Sequence, residues 1–254
     1  MPSRGRATWV GPRPDALTLV SWARKQSVTE LFLQVGPDLV SSPDLAWVRS
    51  VVTQAGAAGI RVAALGGEIT WIDHPCLALA WQQSALLTGL FDGVHVDIEP
   101  WTRSDWDSRR DVVVDGYLGV IEMLATATSL PLEADIAFWL HTVPTATGTP
   151  LDQAVMDRVD AVTVMSYRNT VCGPDSITSI GAHALASAAA VGIPCRLAVE
   201  TNYLGDDAVS RKQTFHGTSV RTLELALTTV DAAEFGTPTY AGMAVHDYAG
   251  WRAL

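Results

Sequence analysis

The sequence has few cysteines: Cys76, Cys172 and Cys195 are the only three among 254 residues. They are odd in number and widely spaced, and no two of them have the spacing of metal ligands. A chain of this length buries most of its apolar surface on folding, so it needs no disulfide or metal to hold it together. We therefore interpret the cysteines as small apolar residues in a reducing compartment, and expect neither a cofactor nor a bound metal.

Long hydrophobic runs are absent as well. Although 48% of the residues are hydrophobic, no run reaches the roughly 20 residues of a membrane-spanning helix. The first ten residues contain two arginines, but no apolar stretch typical of a secretion signal follows them. The sequence thus predicts a cytoplasmic protein that does not use a membrane as its partner.

Positive charge is scarce. Lysine and arginine total 17 residues against 27 aspartates and glutamates, which gives a net charge of −10. A strongly acidic chain is repelled by phosphate groups, so neither nucleic acid nor an anionic membrane surface is an expected partner. The charge fits a neutral or cationic substrate, or simply a soluble surface. The sequence leaves open whether the chain forms a homo-oligomer.

Apolar runs alternate with segments of helical periodicity along the whole chain. The predicted strands are residues 8–11, 31–35, 61–66, 91–101, 132–140, 161–167, 197–201 and 241–246. One predicted helix follows each of the first seven strands. This alternation predicts an α/β protein whose residues 1–254 form a single domain, a (β/α)8 TIM barrel. Only seven residues follow the eighth strand, so the eighth helix must be short or missing. A doubly wound sheet is not expected, because no glycine-rich phosphate turn follows the first strand.

The fourth predicted strand carries an unusual pattern of charge. Its alternate positions His95, Asp97 and Glu99 are ionisable, whereas the residues between them are apolar. Successive side chains of a strand point to opposite faces, so the three ionisable groups share one face. Burying such groups is costly unless they are paired, liganded or used in chemistry. This strand therefore predicts a functional site.

In (β/α)8 barrels the reactive groups lie at the C-terminal ends of the strands. The polar and aromatic residues at those ends are Gln34, Glu68, His95, Asp97, Glu99, Trp101, Asp135, Trp139, Tyr167, Arg168, Asn169, Glu200, Asn202, His246 and Asp247. Four tryptophans are candidate platforms for stacking against sugar rings: Trp71, Trp101, Trp106 and Trp139. Three others lie in helical patterns and are expected to pack in the core: Trp22, Trp47 and Trp81.

Three stretches of the chain carry a resemblance to a known family. Residues 92–99, Asp-Gly-Val-His-Val-Asp-Ile-Glu, resemble the D-G-x-D-x-D-x-E signature on the fourth strand of family 18 glycoside hydrolases, the chitinase-like barrels. Met165-Ser166-Tyr167 resembles the M-x-Y at the end of their sixth strand, and residues 242–246 loosely resemble their eighth strand. The matches lie on the expected strands of a barrel that spans the whole chain. The resemblance implies a glycosidase with a carbohydrate substrate.

The resemblance also implies roles for single residues. Glu99 would be the general acid/base, Asp97 would orient a substrate acetamido group that acts as nucleophile, and Tyr167 would hydrogen-bond that group. Asp97 and Glu99 lie roughly 6–7 Å apart along a strand. They are close enough to raise the pKa of the better desolvated one, as a general acid needs. The residues expected to bind or shape the substrate are His95, Asp135, Trp139, His246, Trp101, Gln34, Asn169 and Asn202.

The chain departs from the family pattern at three positions. His95 replaces the second aspartate of the motif, Arg168 stands where an aspartate usually follows the tyrosine, and His246 occupies the position of the floor tryptophan. A second resemblance exists, because Glu99-Pro100 and Glu200 are similar to the retaining barrels of the cellulase and β-galactosidase clan. There a glutamate that ends strand seven is the nucleophile. The sequence thus leaves open whether an acetamido group or Glu200 attacks the sugar.

Two alternatives from other classes remain. The ionisable residues at the strand ends could ligate a divalent ion, as in sugar isomerases or metal-dependent hydrolases. The chain could also be a carbohydrate-binding barrel without catalysis. Residues 202–219 exceed a normal strand-to-helix connection, and they are expected to form either a flap over the site or a disordered surface loop.

Overall fold

Eight parallel strands close into a barrel in the computed structural model, which describes residues 5–11 and 13–254. Each strand pairs with the next one along the chain, and the last strand pairs with the first. The strands are β1 (Arg6–Val10), β2 (Val28–Gln34), β3 (Arg61–Gly66), β4 (Gly93–Val96), β5 (Leu132–Ala137), β6 (Ala161–Met165), β7 (Cys195–Glu200) and β8 (Tyr240–His246). The predicted (β/α)8 barrel is confirmed.

Helices follow the strands and cover the outside of the barrel. They are α1 (Ala16–Lys25), α2 (Leu45–Ala57), α3 (Pro75–Leu86), α4 (Arg110–Thr126), α5 (Leu151–Met156), α6 (Ile177–Val191), α7 (Ala208–Gln213), α8 (Val220–Ala233) and α9 (Tyr248–Ala253). The last helix has six residues, which confirms the prediction of a short eighth helix. Helix α7 was not predicted, because it lies in the segment expected to be a flap or a disordered loop. None of the helices in the described ranges is long and apolar enough to cross a membrane.

Local sequence signals set several helix ends. The Asp15 side chain accepts a hydrogen bond from the backbone N–H of Thr18 and so caps α1. Ser176 and Ser179 form a reciprocal capping box at the start of α6. Gly192 ends that helix with φ of 87°, a left-handed conformation that glycine adopts without strain. Short-range sequence features therefore set both ends of α6.

The core has two layers because the side chains of a strand alternate between its faces. One layer fills the space between the strands and the helices. The other lies inside the barrel and consists of Ala7, Trp9, Phe32, Ala63, Leu65, Ala198 and Ala244. Its four alanines leave room for the rings of Trp9 and Phe32. The ionisable side chains of β4 and β5 share this interior with the apolar layer, directly below the C-terminal rim.

The fourth strand is shorter than predicted. Pairing in β4 ends at Val96, and Pro100 begins a short 3-10 turn. The backbone N–H of Asp97 still donates to the carbonyl oxygen of Gly66 over 3.0 Å. The next residue, Gly67, needs to be glycine, because a Cβ there would lie 1.8 Å from the carbonyl oxygen of Asp97. The chain therefore leaves the sheet at the rim and carries its acidic residues into the space above the barrel.

Candidate functional site

A cavity of about 900 Å³ lies at the C-terminal ends of β1, β2, β3 and β8. Its size is within the range of cavities that hold small-molecule ligands. Five residues of the predicted site line it: Gln34, Glu68, Asp97, His246 and Asp247. The cavity therefore lies where the fold predicts a site, at the carboxyl ends of the strands.

Four ionisable side chains form a two-by-two group inside the barrel. In the parallel pairing of β4 with β5, His95 is opposite Glu133 and Val96 is opposite Ala134. Asp97 follows the last paired residue of β4, and the charge of Asp135 on β5 acts on it. The His95 Nε2 atom lies 3.0 Å from Asp135 Oδ2, and its Nδ1 atom lies 3.9 Å from Glu133 Oε1. Two adjacent strands thus bring one imidazole and three carboxyl groups together.

His95 lies beneath the cavity and does not line it. Its side chain is fully buried, and its ring stacks on Phe32 with the ring centres 3.6 Å apart. Burial alone would lower the pKa of His95, but Asp135, Glu133 and Asp97 together raise it above the ordinary value. The prediction that His95 contacts substrate is corrected: the imidazole is enclosed, stacks on Phe32 and faces the carboxyl groups of β5.

Asp135 is also buried, so its predicted contact with substrate is corrected in the same way. Its Oδ2 atom accepts a hydrogen bond of 3.0 Å from the indole nitrogen of Trp9. Sequence reasoning assigned Trp9 to the first strand but not to the site. The signal was a tryptophan within a buried strand, since a buried indole N–H needs a polar partner.

Asp97 and Glu99 are the acidic groups that follow β4. Burial, with the neighbouring Asp135 and Glu99, raises the pKa of Asp97 to about 8. Burial and Asp135 also raise the pKa of Glu99, while His246 opposes the rise. The raised pKa of Asp97 favours its protonated form at neutral pH. A raised pKa at Glu99 favours the protonated form that a general acid needs.

Glu200 is only 3% exposed and is held by four donors. Its Oε1 atom accepts hydrogen bonds from Thr201 N, Asn202 N and Asn202 Nδ2 over 2.7–3.0 Å. Its Oε2 atom lies 2.8 Å from His246 Nδ1. Both carboxylate oxygens of Glu200 are therefore occupied by protein groups. Asn202, predicted to bind substrate, holds Glu200 and Asp247 instead.

His246 reaches the cavity from the end of β8. Its side chain is about one-third exposed, and its ring packs edge-on against Trp9. Burial would lower its pKa, but the hydrogen bond and charge of Glu200 raise the pKa to about 9. Because Nδ1 faces Glu200, the other ring nitrogen is left for the cavity. His246 is thus a charged group that lines the cavity.

The end of β6 contributes one residue to the site and two to the surrounding structure. The partly buried Tyr167 ring lies 6.2 Å from that of His246, and burial with Glu200 raises its pKa well above the ordinary value. Arg168 is turned away and pairs with Asp175 over 2.6 Å. Asn169, predicted to bind substrate, donates to backbone carbonyl oxygens of residues 211 and 214. Its role is corrected to holding that loop.

The tryptophans that line the cavity and those that pack in the core are only in part the ones that the sequence predicted. Trp101 and Trp139 form an edge-on pair with ring centres 5.5 Å apart at the rim. Trp106 is buried under the guanidinium of Arg110, so it is a packing residue and not a platform. Four tryptophans line the cavity: Trp9, Trp47, Trp71 and Trp81. Two of them, Trp47 and Trp81, were expected only to pack. The helix pattern located Trp47 and Trp81 correctly, but it could not show that their rings face a cavity.

The residues of ranges 5–11 and 13–254 include no group of three or more His, Cys, Asp or Glu side chains arranged to hold a metal ion. The buried imidazole and carboxyl groups of β4 and β5 contact one another and their neighbours directly. The fold and the site together define a (β/α)8 barrel with interacting carboxyl groups at its C-terminal rim, beside an aromatic-lined cavity.

Comparison with known proteins gives structural matches alone. No family model matches the sequence, and no curated protein matches it. The family 18 chitinase ChiB of Flavobacterium johnsoniae has a TM-score of 0.60 at 15% identity, over 98% of this chain and 89% of that one. A class V chitinase of Nicotiana tobaccum in complex with NAG4 has a TM-score of 0.61 at 12% identity, over 98% and 95%. The spore cortex-lytic enzyme SleL of Bacillus megaterium has a TM-score of 0.61 at 11% identity, over 99% and 73%.

These similarities show the fold. The chain has the same barrel as chitinases and spore cortex-lytic enzymes, and the similarity covers nearly its whole length. The fold that the sequence motifs implied is therefore confirmed by comparison of structures, at identities too low for the sequence searches to detect.

Proposed function

We propose that this protein is a glycoside hydrolase that cleaves glycans containing 2-acetamido sugars. The observation that carries the proposal is the pair of acidic groups after β4: Asp97 lines the cavity, and Glu99 follows it at the rim with a raised pKa. Proton donation to a glycosidic oxygen requires such a protonated carboxyl group. The solved structures with the same fold include chitinases, one of them in complex with NAG4, which supports an N-acetylated substrate.

The roles follow from the chemistry of the bond. Glu99 gives its proton to the glycosidic oxygen as the bond from that oxygen to the anomeric carbon breaks. The acetamido oxygen of the substrate bonds to the anomeric carbon, with Asp97 facing the acetamido N–H and the Tyr167 hydroxyl facing its carbonyl oxygen. Glu99, now a carboxylate, then takes a proton from the water that opens the cyclic intermediate.

The surroundings of Glu200 favour the acetamido group over Glu200 as nucleophile. A carboxylate that accepts three N–H groups on one oxygen and an imidazole on the other is poorly nucleophilic and cannot reach a sugar without losing those bonds. We therefore assign Glu200 to holding His246 in the cavity wall. Gln34 and the Trp101–Trp139 pair are proposed to contact further parts of the glycan.

The test is a screen of aryl glycosides that pairs each N-acetylated sugar with its plain counterpart. We expect hydrolysis of the N-acetylated members and retention of configuration in the first-formed product, measured by NMR. Glu99→Gln should lower kcat at least about 100-fold while binding persists. The matched control is Glu122→Gln, an exposed glutamate on α4 that pairs with Arg158.

Two results would contradict the proposal. Turnover confined to sugars without an N-acetyl group would mean that a protein carboxylate, and not an acetamido group, is the nucleophile. Binding of oligosaccharides without turnover of any member of the panel would favour a carbohydrate-binding barrel instead.

A further inference from the structure

The cavity at the ends of β1, β2, β3 and β8 has an excess of acidic side chains. Within ranges 5–11 and 13–254, the residues that line it include two basic side chains, Arg13 and His246, and five acidic ones. Arg13 is paired with Asp44, and His246 Nδ1 lies 2.8 Å from Glu200 Oε2. Neither basic group is therefore free to balance another acid of the cavity wall.

Two of the acidic side chains in this wall have no partner in the protein. Asp38 lies after β2 and Glu68 after β3, and each precedes a 3-10 turn that its side chain does not cap. Within the described part of the chain, neither carboxyl group takes part in an ion pair or a hydrogen bond. A third acid, Asp247, accepts hydrogen bonds from neutral donors. The β2–β3 side of the cavity is therefore negatively charged.

The aromatic wall of the cavity offers rings and few donors. The indole nitrogen of Trp9 donates to Asp135, and those of Trp47 and Trp81 donate to backbone carbonyl oxygens over 2.7 and 3.0 Å. With these N–H groups engaged inside the protein, only the rings of the three tryptophans remain for a ligand. The face of an indole ring is electron-rich and attracts cations. The aromatic lining therefore favours the same ligand charge as the carboxylates.

Asp97 connects this cavity to the proposed point of cleavage. It lines the cavity, and its Oδ1 atom is enclosed without a hydrogen-bond partner among the described residues. Glu68 follows the strand next to β4, and Asp38 follows the strand beyond it, about 10 Å away at the usual spacing of neighbouring strands. The cavity is thus placed to hold the part of a glycan next to the sugar that Asp97 faces.

We propose that this cavity binds a sugar with a free, protonated amino group, and that Asp38 and Glu68 recognise that group. The inference rests on the proposed function for the rest of the substrate. The sugar at the cleavage point keeps its acetamido group, because that group is the nucleophile, whereas the sugar beside it carries an ammonium group. The substrate class is then a partially N-deacetylated glycan. A neutral acetamido group in this part of the cavity would leave both carboxylates without a counter-charge.

The test compares tetrasaccharides of glucosamine by isothermal titration calorimetry. One is fully N-acetylated, and each of four others carries a free amino group at a different position. The protein is the Glu99→Gln variant, so that no tetrasaccharide is cleaved, at about pH 6, where an aliphatic amine is protonated. We expect at least one amine-bearing tetrasaccharide to bind about five-fold to ten-fold more tightly than the acetylated one, since two ion pairs in contact with water each contribute a few-fold.

Two further measurements show whether the carboxylates cause this preference. Asp38→Asn together with Glu68→Gln should abolish it. The charge-matched control is Asp107→Asn together with Glu122→Gln, which removes two exposed carboxylates outside the cavity and should leave the preference unchanged. The preference should also shrink as the salt concentration rises from about 0.01 M to about 1 M, because the Debye length falls from about 30 Å to about 3 Å.

Three results would overturn the inference: equal binding of the acetylated and amine-bearing tetrasaccharides, a preference that survives the loss of Asp38 and Glu68, or no binding of any tetrasaccharide. Each of them leaves the proposed function standing if the aryl glycosides are hydrolysed. Conversely, a preference for the amine that depends on these two carboxylates, in a protein that hydrolyses no glycoside, would contradict the proposed function alone.

Discussion

Glu200 shows how one buried carboxylate controls a neighbouring base. Its four donors keep it in one position, and His246 is one of them. The pKa of His246 is consequently raised to about 9, above the ordinary histidine value of 6.5. A histidine with a raised pKa contributes stability that is fully present below pH 6.5 and is lost as the pH rises through about 9. The Glu200–His246 pair should therefore stabilise the fold most at neutral and acidic pH.

Glu200→Gln should lower the pKa of His246 from about 9, because burial is then opposed only by the charges of Asp247 and Asp97. Proton NMR titration of the imidazole measures this directly. In the unaltered protein the free energy of unfolding should decrease between pH 6.5 and 9 as His246 loses its proton. Urea unfolding at several pH values should show a smaller decrease in the variant. Glu122→Gln serves as the control and should leave both measurements unchanged. A His246 titration that does not move in Glu200→Gln would show that the pair does not set the pKa.

At the scale of elements, the segment between β7 and α8 is tied to its neighbours at several points. The Asn169 side chain donates to the backbone oxygens of Arg211 and Thr214. The backbone N–H of Asn169 donates to the carbonyl oxygen of Lys212. Lys212 also pairs with Asp175 over 2.6 Å. The backbone N–H of residue 215 donates to the carbonyl oxygen of Glu200. The segment between β7 and α8 is therefore ordered and lies beside the site, where residues of the β6–α6 connection hold it in place.

Asn169→Ala should loosen this segment without affecting the barrel. Two side-chain hydrogen bonds worth about 1 kcal/mol each would be lost, so amides of residues 208–215 should exchange about ten-fold faster or more. Hydrogen exchange followed by mass spectrometry measures the change peptide by peptide. Thr229→Ala, which removes a hydroxyl on α8 bonded to Leu225 O, is the matched control. Faster exchange throughout the strands would mean that Asn169 stabilises the whole fold instead.

At the scale of the whole molecule, the junction of the last and first strands closes the barrel. β1 and β8 share three register pairs, fewer than most neighbouring strands. Helix α9 covers this junction, and its Trp251 is almost fully buried against Trp22, with ring centres 5.0 Å apart. A short final helix is thus sufficient, because one large aromatic side chain fills the space that a longer helix would cover.

Trp251→Ala should destabilise the protein by about 3–5 kcal/mol, since it removes a large buried side chain and leaves a cavity at the junction. Urea unfolding monitored by circular dichroism gives the difference. Leu225→Ala, at an exposed leucine on α8, should change the free energy of unfolding by no more than about 0.5 kcal/mol. A loss below about 1 kcal/mol for Trp251→Ala would show that closure does not depend on α9.

The succession of elements was predictable because it depends on local patterns. Alternating apolar runs and helical periodicity located all eight strands and a helix after each of the first seven. Strand lengths were less predictable: the fourth was expected to extend to residue 101, but β4 ends at Val96. An extended chain beyond the last ladder bond has the same sequence pattern as a strand, so only the neighbouring strand decides where pairing stops.

The sequence by itself determined the barrel and the position of Asp97 and Glu99 at the end of its fourth strand, because both follow from the order and periodicity of residues along the chain. The tertiary structure alone decided which groups meet across strands. It buried His95 between carboxyl groups, placed Trp9 on Asp135, and engaged Glu200 with His246. These contacts join residues 38 to 126 positions apart. Their charges depend on burial and distance, which no local pattern records.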